Sequence, residues 1–107
     1  MKFLLKRKIR RIESELRKML RSKGIKPNVW SFGAYYIDPK HLVFVVGVST
    51  DHEKASLKNS PDFGAQMRGL LDKYNWPIAA RSAVSFNVES QETVERETDG
   101  NWWYHYK

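Results

Sequence analysis

SQETVERETDGNWWYHYK, Ser90–Lys107, is the stretch on which the fold turns, because it reads in two ways. A helix starting after Ser90 would own a single apolar residue, Val94, and so short a helix gains little without an apolar face to bury. Asp99-Gly100 is a strong hairpin dipeptide, and the aromatic run beyond it suits a strand. The preferred reading is strand, Asp-Gly turn, strand, with a bend or bulge near Glu89–Gln91. On that strand Trp102, Tyr104 and Tyr106 face one way and Trp103 and His105 the other. One set then enters the core and the other forms an aromatic surface. Tyr and Trp are favoured at protein interfaces and also stack on unpaired bases.

Immediately upstream, Ser82–Glu89 alternates, with Val84, Phe86 and Val88 inward. Ser60-Pro61-Asp62 supplies an N-cap, a proline at the first helical position and an acid in the first turn. Phe63, Met67, Leu70, Leu71 and Tyr74 mark the buried face of the helix that follows, which ends before Trp76-Pro77. Thr50–Asn59 has no clean period and reads as a long loop, a common location for function. His41–Thr50, HLVFVVGVST, is apolar on both parities, which predicts a central strand covered on both faces. Asn28–Asp38 alternates with Trp30, Phe32, Ala34 and Tyr36 on one side. The Asp38-Pro39-Lys40 turn joins it to the central strand as an antiparallel hairpin.

At the far end, Leu5, Ile9, Ile12, Leu16, Met19 and Leu20 recur at spacings of three and four, which predicts an amphipathic helix over Met1–Gly24. Gly24 followed by Pro27 stops it. Between Lys2 and Lys23 stand ten Lys/Arg and two Glu, a net of +8, while the rest of the chain sums to −1, so the +7 of the whole protein sits on this one segment. The predicted order is α-β-β-α-β-β in a single domain, residues 1–107. The predicted fold class is α+β, two helices packed on a four-stranded mainly antiparallel sheet. The two-sided central strand requires the second helix to cross to the other face, or a second copy to cover that face as a homodimer.

Composition narrows the function classes. With no cysteine, a disulfide framework, a Cys-ligated zinc site and a thiol nucleophile are excluded, and a reducing, cytoplasmic setting fits. Phe3-Leu4-Leu5 is cut short by Lys6-Arg7-Lys8, well short of a secretory apolar core, and no run reaches the length of a membrane span. The chain therefore reads as mature as written. Asp51-His52-Glu53 are consecutive and lack a second ligand pair at metal-binding spacing. Glu89, Glu92, Glu95, Glu97 and Asp99 complement nearby cations more readily than they form an acid/base pair. No phosphate-cradling glycine loop or nucleophile triad is present, so the reading is non-catalytic, without cofactor or metal.

The residues VSTDHEKASLKNSPDF, LLDKYNWP and VESQETVERETDGNWWYHYK, spread over Val48–Lys107, resemble small bacterial immunity proteins of contact-dependent growth-inhibition and other polymorphic toxin systems. The resemblance implies a cytosolic protein that binds a toxin domain and blocks its active site. Charge is the departure: many toxin nucleases are basic and their inhibitors acidic, whereas this chain is basic, which implies docking through the neutral-to-acidic half or a toxin with an acidic surface. The expected partner-binding residues are Asp51, His52, Glu53, Lys54, Glu95, Glu97, Trp103 and His105. The alternative is nucleic-acid binding through Arg7, Arg10, Arg11, Arg17, Lys18 and Arg21.

Overall fold

Leu5, Ile9, Ile12, Leu16 and Leu20 are each at most 5% exposed, so the apolar stripe of the leading segment is buried as its spacing predicts. In the computed structural model, which describes residues 2–106, they belong to α1 (Lys2–Ser22). The helix closes with Gly24 N–H on the Arg21 carbonyl and Ile25 N–H on the Leu20 carbonyl, both 3.0 Å, while Ile25 packs against the core. That pairing satisfies two of the last carbonyls and ends the helix in a left-handed residue, Gly24 at φ +74°.

The sheet has three strands, β1 (Asn28–Phe32), β2 (Val43–Val48) and β3 (Ser85–Ser90), in that spatial order. β1 runs antiparallel to β2, pairing Trp30 with Val45, while β3 runs parallel to β2, pairing Val46 with Val88. The expected four-stranded, mainly antiparallel sheet is thus replaced by a mixed three-stranded one. β1 is shorter than the alternation suggests, because Gly33 adopts φ +108° and a side chain there would run into the carbonyl oxygen of His41. The chain then folds through a tight segment in which Asp38 accepts the Lys40 amide, and a 3-10 turn over Pro39–His41 leads into β2.

A parallel pair needs a crossover, and two helices provide it. Thr50–Asn59, expected as a loop, forms α2 (Asp51–Lys58) on a capping box: Thr50 Oγ1 accepts the Glu53 amide, and Glu53 reaches back to the Ser49 and Thr50 amides. Ser60 then caps α3 (Pro61–Lys73), whose Phe63, Met67, Leu70 and Leu71 are buried as expected. Trp76, fully buried, and a 3-10 segment over Ile78–Ala83 return the chain to β3. α1, α2 and α3 join Val29, Phe44, Val46, Val48 and Val88 in one core on the first face of the sheet.

The tail is the main correction. After β3 it forms α4 (Gln91–Thr98), a left-handed Asp99 at φ +52°, and α5 (Trp102–His105). Ser90 accepts the Thr93 amide and Asn101 accepts the Tyr104 amide, so both helices are capped. The expected hairpin turn at Asp99-Gly100 is instead a helix stop. α5 lies on the second face of the sheet, where Trp102 packs edge-on against Trp30 with centroids 5.1 Å apart. Val45 and Val94 are fully buried, outside the first core. The two-sided apolarity of β2 is therefore met within the chain, where Val45 is fully buried and α5 packs over the neighbouring Trp30, without the second helix crossing to that face. No described helix is long and apolar enough to cross a membrane.

Candidate functional site

On the second face, register aligns Trp30 with Val45 and Asn87, and Phe32 with Val43 and Ser85. Trp30 also lies close over Gly47 of the neighbouring row, where a Cβ would stand 3.0 Å from its ring. α5 leaves this surface incompletely covered. Trp30, Phe32, Trp102, Trp103 and Tyr106 line an open groove of about 460 Å³. Trp102 and Tyr106, one helical turn apart, stack with centroids at 6.5 Å, and Tyr106 meets Phe32 at 5.7 Å. Trp103 and Tyr104 stand at the rim, 66% and 58% exposed. Trp102 also borders a second, more polar cleft of about 450 Å³ shared with Lys26, Asn28 and Gln91.

The rings are held by polar contacts at their outer atoms. Trp102 Nε1 donates to Gln91 at 2.7 Å, Gln91 donates on to Glu95 at 3.2 Å, and Tyr106 Oη donates to Asn87 at 2.7 Å. Burial, reinforced by the negative charge of Glu89, pushes the Tyr106 phenol well above its ordinary range, so it stays a donor. His105 Nε2 lies 2.7 Å from Glu89 Oε2, while Glu89 Oε1 accepts from Lys54 Nζ at 2.6 Å and from the Ser90 amide at 2.9 Å. Burial opposes the charge on Glu89. Lys54, the Ser90 amide and His105 outweigh it and hold the carboxyl below its ordinary range.

Next to this network, Asp51 takes hydrogen bonds from the Ser90 and Thr93 hydroxyls and pairs with Arg96 at 2.6 Å. Those donors, Ser90 foremost, hold its carboxyl far below the usual carboxylate range. Glu92 accepts the Asp51 amide at 2.6 Å. The starts of α2 and α4 are thereby filled by the chain's own carboxylates. No buried side-chain polar atom lacks a partner among the described residues, and none of their His, Asp and Glu side chains gather in threes that could hold a metal.

The residues expected to face a partner divide accordingly. Asp51, Glu53, Lys54 and His105 are engaged in caps and ion pairs inside the chain. His52, Glu95, Glu97 and Trp103 are exposed. Trp30, Phe32, Trp102 and Tyr106 complete the groove and are absent from that expected set. The signals for them are the shared parity of Trp30 and Phe32 and the four-residue spacing of Trp102 and Tyr106, which helix geometry puts on one side.

The cations of α1 occupy the opposite side of the molecule. Arg7, Arg10, Arg11, Lys18 and Arg21 are exposed and, among the described residues, have no carboxylate within ion-pair distance. Arg17 is an exception, turned back to donate to the Val29 carbonyl at 2.9 Å. Comparison with protein families, with curated proteins and with solved structures returns no match for this chain.

Proposed function

We propose that this chain is a non-catalytic protein-binding module of the immunity type, which neutralises a toxin domain by covering its active site. The observation that carries this reading is the open five-ring groove on the second face. Trp and Tyr dominate interface energetics, because they bury a large area for few rotatable bonds. Here Gln91 holds Trp102 and Asn87 holds Tyr106, so little ordering entropy remains to be lost at those two rings on docking. Glu92, Glu95, Glu97 and Asp99 are exposed on the same C-terminal segment, which adds an acidic flank suited to a basic partner.

The test is co-expression and titration calorimetry with any toxin domain found encoded beside this chain. A specific complex is expected to bury a standard area of roughly 1,600 Å². Trp103→Ala is expected to weaken it by about 2 kcal/mol, roughly 30-fold, as a rim anchor does. Unchanged affinity in Trp103→Ala together with Trp102→Leu, or no complex with that toxin domain, overturns the reading.

A further inference from the structure

We infer that the outer face of α1, with the groove it forms against the end of α3, binds the phosphodiester backbone of nucleic acid. Arg7, Arg11 and Lys18 project within about 40° of one another around the helix, and Arg10 and Arg21 widen the arc to roughly 100°. From Arg7 to Arg21 the stripe extends about 21 Å at helical rise. Such a row of like charges repels itself, and among the described residues no acidic side chain of another element pairs with it.

Among the described residues, Glu15 is the carboxylate of α1 with an ion-pair partner, and it ties the end of α3 to α1 while neutralising Lys73. Glu15 accepts from Lys73 Nζ at 3.1 Å and from Tyr74 Oη at 3.0 Å. Lys8 Nζ reaches the Asn75 carbonyl at 2.7 Å. Together they hold the end of α3 beside α1, where Arg7, Lys8, Arg11 and Lys73 line a groove of about 320 Å³ with Tyr74 as part of its wall. The groove joins cations from two elements, which a merely solvated helix face would not do.

Charge complementarity points to a polyanion, and the packing selects among polyanions. An interfacial membrane helix must free its apolar face. Leu5, Ile9, Ile12, Leu16 and Leu20 are at most 5% exposed beneath the sheet and Met19 packs partly buried against the same core, so among the described residues of α1 the exposed large apolar side chains are Phe3 and Leu4. The surface lies on the other side of the molecule from the aromatic groove, so it stands independently of the proposed partner site.

The test is fluorescence anisotropy with a labelled duplex of about 20 bp between 50 and 200 mM salt. Five neutralised phosphates predict a slope of about −4.5 in log K against log salt, a loss of roughly 500-fold across that range. The variant R7Q/R11Q/K18Q is expected to reduce the slope to about −2 with its far-UV circular dichroism unchanged, whereas Lys58→Gln on α2 leaves it as it was. No binding at 50 mM salt, a slope shallower than about −1, equal affinity for polyglutamate of matching charge, or binding confined to anionic vesicles overturns the inference.

Discussion

Replacing Glu89 tests whether the network behind the aromatic groove holds the C-terminal helices in place. The Glu89 side chain is 9% exposed, and its partners His105 and Lys54 are 14% and 21% exposed. An exposed ion pair contributes about 0–1 kcal/mol, whereas breaking a buried one costs about 3–5 kcal/mol. This triad lies near the buried limit, but Lys54 retains a path to solvent, so Glu89→Ala is expected to cost about 3 kcal/mol. For a chain of this length that lowers the melting temperature by roughly 10–20 °C. Glu89→Gln keeps the shape and one hydrogen bond and should lose about half as much. Urea unfolding followed by circular dichroism gives the free energy. Tryptophan emission reports α5, because release of His105 exposes Trp102, which should shift the emission to the red before helicity is lost. A melting temperature within about 2 °C of the parent in Glu89→Ala would falsify the argument, and the groove would then be held by ring packing alone.

Other substitutions probe the rest of the scaffold. Leu16→Ala removes a fully buried side chain beneath the sheet and should cost about 2–5 kcal/mol in urea unfolding. Two glycines should respond with opposite signs. Gly33→Ala forces a side chain toward the His41 carbonyl at a positive φ and should destabilise by about 1–3 kcal/mol, whereas Gly69→Ala, with open space around it inside α3, should stabilise by about 0.5–1 kcal/mol. Thermal melts of both variants decide the pair. Acid should loosen the fold in a defined window. Asp51, Glu89 and Glu15 all titrate below ordinary carboxylates, so their contribution is complete above about pH 5, where unfolded carboxylates are ionised, and is lost as pH falls through their lower folded values. A stability profile that stays flat from about pH 5 down to pH 2 contradicts this sign.

The parts of the fold visible in the sequence are those where one period dominates. α1 and α3 are legible because their apolar residues recur at helical spacing between recognisable stops, and β2 because six residues are apolar on both sides. α2 is harder: its apolar content is one buried leucine, Leu57. Its evidence is local, the Thr50-x-x-Glu53 capping box, which holds whatever the periodicity. The tail misleads for a similar reason. Val94 alone is a small apolar surface, yet it is fully buried, and α5 packs through Trp102 on the ring of Trp30, so neither helix depends on a long apolar stripe of its own. Asp99-Gly100 suits either a hairpin or a helix stop, since both use left-handed residues. Only the Ser90-x-x-Thr93 and Asn101-x-x-Tyr104 caps distinguish the two, and they do so through hydrogen bonds that periodicity does not register. The site follows from the same point: the aromatic groove is legible once the tail is helical and Trp102 and Tyr106 share a side.

The way this chain handles its helix starts bears on where it can recognise charge. α2 and α4 both begin at the carboxyl ends of the parallel pair β2 and β3, the place where α/β folds commonly bind phosphate on exposed backbone amides. Here Glu53 takes the Ser49 and Thr50 amides, Glu92 takes the Asp51 amide, and Asp51 takes the Ser90 and Thr93 hydroxyls. An incoming anion would have to displace three carboxylates and would meet their repulsion first. This favours the proposed phosphate contact by side chains, on the face where Arg7, Arg10, Arg11, Lys18 and Arg21 have no acidic ion-pair partner among the described residues. The phosphate contact proposed for α1 depends on released counterions and so weakens steeply with salt, whereas at the proposed groove interface salt screens only the acidic flank and leaves the buried-area contribution in place. A steep salt response on one side and a shallow one on the other thus distinguishes the two surfaces in one preparation.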